Sequence, residues 1–403
     1  MNTVQQVNIL SLEFKANPFP LLARLRAEQP VCRITLPDKT PVWLVTRYED
    51  VKTLLTDERF AKSRYNALTP AQLRKQPWVP QMFRPLERNM LDLDPPDHTR
   101  LRKLVHKAFT PRLIEQMRER VQKLANDLLD AASQKGAMDL IRDYALPLPM
   151  TIITEILGVP IKDWDKFHIW SKVIVSVNQF NANWRMIIAI WKFNRYLRGF
   201  FKVRRDDLQE DLVSALIQAE DAGDRLSEDE LLAMVFLLLV AGHETTVNLI
   251  ASGTLELLQH PDQMEKLRRK PLLIRSAVEE LLRYTAPVFM STERYAREDV
   301  TIQGVTIPRG EMTLGVIGSA NRDETVFDNP DTLDIEREPN KHLAFGYGIH
   351  YCLGASLARL ETEIAIITLL GRMSDLRLKG SPESLRWRPS LFLRGLDTLP
   401  VEF

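Results

Sequence analysis

Residues 228–259, EDELLAMVFLLLVAGHETTVNLIASGTLELLQ, limit the fold of this chain more than any other segment. Ser227, with Glu230 three positions on, forms a capping box that starts a helix, and His260–Pro261 stops it. Thirty-two residues at the α-helical rise make a rod of about 48 Å. Its middle, LLAMVFLLLVA, is apolar on every face, which predicts burial on all sides. A rod of that kind has to be wrapped by other helices. The apolar run Leu231–Gly242 is too short to span a bilayer and ends in His243 and Glu244, so no membrane segment is expected.

Helical periodicity also marks 98–132, 150–157, 162–201, 208–220, 262–269, 272–284 and 353–373. VCRITLPDKTPVWLVT (31–46) alternates β-branched and polar residues around a Pro/Asp turn and predicts a hairpin. Residues 300–317 read the same way, with turns at Gly304 and Pro308–Gly310, and 385–403 predicts a last pair of short strands. The plan is mainly α, an α+β arrangement with small antiparallel sheets at about 31–46, 296–317 and 385–403, not a βαβ alternation. No linker, repeat or low-complexity tract divides the 403 residues, so a single domain over 1–403 is expected. With 45% hydrophobic residues it can bury a core and still enclose an apolar cofactor.

Lys+Arg 54 against Asp+Glu 53 leaves a net charge near zero, which argues against nucleic-acid binding. Two cysteines, Cys32 and Cys352, are too few for a disulfide framework and fit a reducing cytosol. The first residues carry no basic stretch followed by an apolar core, so no signal peptide is expected and the protein reads as soluble and cytoplasmic.

Cys352 lies in FGYGIHYCLG (345–354). Gly346 and Gly348 let the backbone turn tightly and approach something flat. The helical pattern that follows predicts a helix N-terminus at the cysteine, where unpaired N–H groups and the dipole favour a thiolate. A shielded thiolate offered by a glycine turn is what an axial metal ligand needs. A lone cysteine can also be a small buried hydrophobe, but that leaves the glycines, Phe345 and His350 without a reason. Tyr351 replaces the third glycine of a G-x-G-x-x-G, so no dinucleotide loop is read here.

Within the long helix the sequence turns polar at AGHETT (241–246). Glu244 and Thr245 are costly in an apolar interior without partners or a task. Read alone, the pair is met as well by a threonine bonded back to the preceding turn and a glutamate reaching a surface cleft. Gly242 in mid-helix is expected to relax the helix or let a ligand approach. HETTV is not a zinc motif, because Val247 stands where the second histidine belongs.

The pattern F-G-x-G-x-H-x-C-x-G, met at Phe345, Gly346, Gly348, His350, Cys352 and Gly354, resembles the haem-binding signature of the cytochrome P450 family of haem-thiolate monooxygenases. The similarity extends over nearly the whole chain and is closest to soluble bacterial members that tailor polyketides and macrolides. The resemblance implies the triangular, helix-rich fold of that family, haem b (iron protoporphyrin IX) as cofactor and Cys352 as ligand to its iron. It also implies that Ala241 lies against the haem, that the Thr245 hydroxyl holds dioxygen, and that Glu244 feeds protons.

Glu280 and Arg283 sit at i,i+3 on one helix face; on spacing alone they could be an ordinary surface ion pair. In the family an E-x-x-R pair is buried and tied to a third residue before the cysteine loop, here Arg337. The resemblance places His98 and Arg102 on one haem propionate and Arg294 and His350 on the other, Arg forks suiting carboxylates. Arg100, Lys103 and Lys107 are read as solvated. From Arg100 to Arg112 there are five Lys/Arg and no acid, a docking face for an acidic electron-transfer protein.

The aromatic stretch 164–201, the 61–90 segment and Val288–Thr292 are implied walls of the substrate channel, with Val240, Val288, Phe289 and Met290 as pocket residues. An aromatic stripe is equally what a packed core requires. The function implied is oxygen insertion into an apolar small molecule (macrolide, polyketide, terpenoid, steroid or fatty acid). Electrons would come from a separate ferredoxin and an NAD(P)H-linked ferredoxin reductase, because no flavin or iron–sulfur motif is present. Rival readings are a peroxide-driven peroxygenase, a haem isomerase, or a non-enzymatic haem or ligand binder. The acid–alcohol pair Glu244–Thr245 argues against these.

Overall fold

The computed structural model describes residues 8–74, 89–164, 166, 169–170, 184–221 and 223–403. The helices used below are α1 (Leu12–Ala16), α2 (Phe19–Glu28), α3 (Tyr48–Thr56), α4 (Asp97–Ala108) and α5 (Arg118–Ser133). They continue with α6 (Trp184–Asp206), α7 (Glu228–Gln259), α8 (Ile274–Thr285) and α9 (Ala355–Arg372). The chain divides into two compact units. Met1–Pro70, Arg118–Leu148 and Thr245–Phe403 make the first, Ala71–Met117 and Pro149–Glu244 the second.

In the first unit a five-stranded sheet is built from β1 (Val31–Thr35), β2 (Pro41–Val45), β3 (Phe60–Ala61), β5 (Arg294–Ala296) and β8 (Met312–Gly315), in the order β1-β2-β8-β5-β3. The hairpin expected at 31–46 is β1–β2, with Val31 opposite Val45. A second hairpin, β6 (Val300–Ile302) and β7 (Val305–Ile307), turns at Gly304 (φ +75°). Met312–Gly315 leaves that hairpin and lies parallel to β2, Leu314 beside Leu44, because burial of both faces decides its partner. Within 385–403 the expected pair is reduced to one antiparallel bridge, Trp387 with Leu396, and the strand there is β10 (Pro400–Glu402), which pairs with β4 (Ala137–Asp139) and β9 (Arg377–Leu378).

Tyr48, Val51, Leu54 and Leu55 of α3 enter a core cluster with Val45, Phe60, Ile317, Phe327 and Leu343. On α5 and α9, Gln122 donates to Thr368 at 2.9 Å across buried Leu129 and Leu369. The helical run expected over 98–132 is three helices, because Pro111 cannot donate to the preceding turn; Thr110 caps the new start by accepting from Leu113 N–H.

The second unit holds α4, α6 and α7 up to Glu244. Arg204 of α6 donates to Asp211 at 2.6 Å and to the Gly158 carbonyl at 2.8 Å. The bounds of α7 are those expected. Ser227 Oγ donates to Glu230 at 2.9 Å while Glu230 N–H returns to Ser227 Oγ at 3.3 Å. By length and composition α7 is apolar enough to cross a membrane, yet only 56% of its apolar window is buried, against the burial on all sides that its sequence predicts. Leu237, Val240, Ala241, Glu244 and Thr245 share one face by helical spacing, and none of them is buried.

The N-terminal helices dock on the first unit through aromatic rings: Phe14 and Phe19 meet Phe289 edge-on at 6.3 and 6.2 Å. Beside them Lys15 is fully buried, its Nζ 5.5 Å from the Phe289 ring and without a hydrogen-bond partner. Burial, then the nearby Arg394, lowers its pKa to about 8. The folded state therefore holds fewer protons than the unfolded chain between that value and about 10.4, and stability rises with pH across this window. Below it the full penalty, about 3 kcal/mol, applies. Lys15→Met is expected to raise the melting temperature at pH 7 and to flatten the rise between pH 8 and 10; calorimetry of both proteins across pH measures this.

Candidate active site

The cysteine loop is shaped by two left-handed glycines, Gly346 at φ +73° and Gly348 at φ +76°. Cys352 N–H donates to the Phe345 carbonyl at 2.9 Å, closing the loop, and Cys352 is exposed. The helix starts later than the sequence suggested: Gly354 is the N-cap of α9, two positions beyond the cysteine. Phe345 and His350 are half-buried, while Tyr347, Ile349 and Tyr351 are exposed around the thiol. Cys32 differs: it is buried, and burial pushes its thiol up to about 11.

Two ionic networks hold this loop from behind. Arg283 forks onto Glu280 with two bonds of 2.7 Å, both side chains fully buried, and Arg337 Nε adds a contact to Glu280 at 3.1 Å. The structure thus brings Glu280, Arg283 and Arg337 together. Asn340 and the Asp334 N–H also donate to Glu280, at 3.0 and 2.9 Å. Arg283 donates further to the Asn321 carbonyl at 2.9 Å, and Asn321 Oδ1 accepts from Leu343 N–H at 2.7 Å, two residues before Phe345.

Sequence reasoning missed the second network. Arg359 of α9 forks onto Glu279 at 2.6 and 2.8 Å, stacks over the Phe345 ring at 4.5 Å, and His342 also meets Glu279 at 3.1 Å. Burial alone would raise the Glu279 carboxyl. Hydrogen bonds from Arg359 and His342 outweigh it and hold it at about 2.

On α7, Glu244 and Thr245 are half-buried and follow an exposed Ala241. The helix is continuous through Gly242, whose missing side chain admits Ile153: a Cβ there would stand 3.3 Å from it. The glycine thus serves packing, not a helix break. Thr246 is buried near a residue that sequence reasoning passed over, Glu361 of α9. Burial drives the Glu361 carboxyl well above the usual range, with Thr246 acting against the shift. The signal was present: Glu361 occupies the apolar stripe of Leu357, Leu360, Ile364 and Ala365.

His98 is buried on α4 and Arg102 half-buried one turn on, with Arg102 Nε 3.2 Å from His106. Arg100 is not solvated as expected: it pairs with Asp224 at 3.1 Å and with Glu230. Those acids lie too far along the chain for local charge reading to find. Arg294 is buried on β5 opposite Thr313. Among the substrate residues, Val240 and Val288 are half-buried and Met290 is buried. Phe289 belongs to the core instead of a pocket wall. It is fully buried against Phe14 and Phe19 and lies over Gly318, where a Cβ would come within 2.3 Å of the ring. Phe167, Phe180 and residues 75–88 of the 61–90 wall lie outside the described residues.

These observations fit a flat, apolar, carboxylate-bearing group held by one sulfur. In the first unit the thiol is exposed on a turned loop and Arg294 is a buried cation. Among the described residues no cluster of three or more His, Cys, Asp or Glu side chains offers a competing metal centre.

Fold and loop together define a helix-rich protein with a single-cysteine cofactor site, and comparison with known proteins gives the class its name. The chain matches the cytochrome P450 family model over residues 6–270 and 271–388. It is 46% identical over 392 residues to the polyketide biosynthesis cytochrome P450 PksS of Bacillus subtilis (strain 168), covering 96% of each chain. It is 43% identical to the mycinamicin IV hydroxylase/epoxidase of Micromonospora griseorubida, covering 95% of this chain and 94% of that one. The solved structure of the PksS protein from Bacillus subtilis 168 superposes with a TM-score of 0.92 at 44% identity, over 98% of this chain and 99% of that one. This chain belongs to the cytochrome P450 family and is a monooxygenase, an oxidoreductase that uses haem, dioxygen and redox partners.

Proposed function

We propose that the protein hydroxylates or epoxidises an apolar small molecule of the macrolide or polyketide, terpenoid, steroid or fatty-acid kind, as a cytoplasmic enzyme of one domain. The observation that carries this reading is the exposed Cys352 on its glycine-turned loop, in a chain whose α7 leaves the Glu244–Thr245 face uncovered. A relative that acts in polyketide biosynthesis, at 46% identity, supports the substrate class.

Haem b would supply the oxygen-activating iron and perform the oxidation when bound. Cys352 would hold it through the thiolate and lend it electron density. His98, Arg102, Arg294 and His350 would neutralise the propionates. Phe345, Gly346, Gly354 and Ala241 would form apolar contacts with the ring. The Thr245 hydroxyl would donate to dioxygen and Glu244 would pass protons to it, a proton supply that oxygen cleavage requires. Val240, Val288 and Met290 would exclude water from the substrate. Ferredoxin and its NAD(P)H-linked reductase would deliver electrons, docking on the basic stretch around Lys103, Lys107 and Arg112.

Thr245→Ala is expected to leave the reduced, carbon monoxide-bound spectrum unchanged and to lower product formed per NAD(P)H by at least about tenfold, because a positioned proton donor is lost. A variant as tightly coupled as the native protein would refute the role. Titrating candidate macrolides, steroids and fatty acids against the Soret band identifies the substrate class.

A further inference from the structure

Beyond Thr245, α7 carries a second polar row. Asn248, Ser252, Glu256 and His260 follow at spacings of three or four residues and so continue the Thr245 face of the helix to its end. Asn248 and Ser252 are each 1% exposed amid Val247, Leu249, Ile250 and Ala251. The Asn248 carbonyl oxygen accepts from Arg388, but Asn248 Nδ2 and Ser252 Oγ have no partner. Thr254, by contrast, bonds back to the Ile250 carbonyl at 2.7 Å. Two buried polar atoms left open one helical turn apart are costly unless water joins them. The rise of about 6 Å over four residues is close to two hydrogen bonds of about 2.9 Å, the span of one bridging water.

At the far end the row meets solvent. His260 is 33% exposed on its side chain and stands 3.9 Å from Glu256 Oε2, with Nδ1 2.8 Å from the Glu256 carbonyl. Burial raises the Glu256 carboxyl, while Arg394, Arg322 and His260 act against the shift. Tyr284 packs edge-on against His260 at 5.9 Å, and Lys15 lies beyond Arg394. Glu256 is thus the carboxylate among several cations, placed where a buried polar row opens outward.

We propose that Asn248, Ser252 and Glu256 hold a file of water along α7 that carries protons from solvent at His260 to the Thr245 hydroxyl. The inference rests on Thr245 serving dioxygen as proposed above, and it adds an inlet separate from Glu244. Each water accepts one proton and gives one on. The Glu256 carboxyl passes a proton inward and is reprotonated from solvent through His260, so the file ends as it began. The electrons come from the redox partner.

Ser252→Ala removes the water-binding oxygen without added bulk, and Glu256→Gln removes the proton carrier at nearly constant size. A crystal structure of the native holoenzyme is expected to show water bonded to both Asn248 Nδ2 and Ser252 Oγ, absent in Ser252→Ala. Both variants are expected to keep the native carbon monoxide spectrum and substrate affinity, while peroxide released per NAD(P)H rises at least about twofold and the solvent isotope effect grows. A dry contact between the two atoms in the native crystal, or native coupling in both variants, would overturn the water file alone. Absence of the thiolate-type spectrum in the native chain would instead sink the reading of the site and this inference with it.

Discussion

Cys352→Ser is expected to abolish monooxygenase activity, by at least about a thousandfold, equivalent to about 4 kcal/mol of barrier. Serine is nearly the same size, and the bond that closes the loop runs from the backbone N–H of residue 352 to the Phe345 carbonyl, so the turn itself survives. What is lost is the deprotonated sulfur. A hydroxyl stays protonated at neutral pH and cannot push electron density onto iron as a thiolate does. The reduced protein exposed to carbon monoxide should lack the strongly red-shifted band of thiolate ligation, while thermal unfolding of the cofactor-free chain should hardly move. Cys32→Ala is the control. That sulfur is buried in β1 and held as the thiol, so its removal should cost a little stability and leave the spectrum unchanged. Retention of the band in the serine variant would overturn the ligand assignment.

Arg283→Leu is expected to have the next largest effect. It strips Glu280 of two 2.7 Å bonds in a place with no solvent and leaves a buried carboxylate facing Arg337, Asn340 and the Asp334 N–H. Breaking a buried pair in this way costs about 3–5 kcal/mol, far more than the 0–1 kcal/mol of an exposed pair. The carbonyls of Asn321 and Pro330 lose the Arg283 donor at the same time, Thr332 keeps only that of Arg337, and Asn321 is the residue that holds Leu343 just before the cysteine loop. The damage should therefore reach cofactor binding as well as folding. Denaturant titration reads the first and haem stoichiometry the second. Arg283→Lys keeps the charge but cannot fork onto two oxygens and three carbonyls, so it should fall between. A leucine variant with native stability and full haem content would show that the cluster has no structural role.

What could be read from the sequence follows from where the deciding interactions lie. The long helix was legible to the residue because its start, Ser227 with Glu230, and its stop, Pro261, are local. The cysteine loop was legible for the same reason, its glycines and turn lying within ten residues. Partners far along the chain were not. Arg100 read as solvated because Asp224 and Glu230 are more than a hundred residues away. Met312–Gly315 read as part of a hairpin because alternation fixes which side chains are buried, not which strand lies alongside. Phe289 was assigned to the pocket with its neighbours because its ring partners, Phe14 and Phe19, lie far earlier in the chain. Glu361 went unnoticed because a single acid in an apolar stripe is easily taken for the edge of the polar face.

One consequence of the N-terminal docking concerns synthesis. Arg394 donates to the carbonyls of Lys15 and Ala16, partners separated by 379 and 378 residues. At about 5–20 residues per second, a ribosome would take from about twenty seconds to over a minute between the two ends of that contact. Phe14 and Phe19 must wait, uncovered, until Phe289 and finally Arg394 emerge. The nascent chain is therefore a client for chaperones at its front end, and its last cooperative step is the return of its first helices.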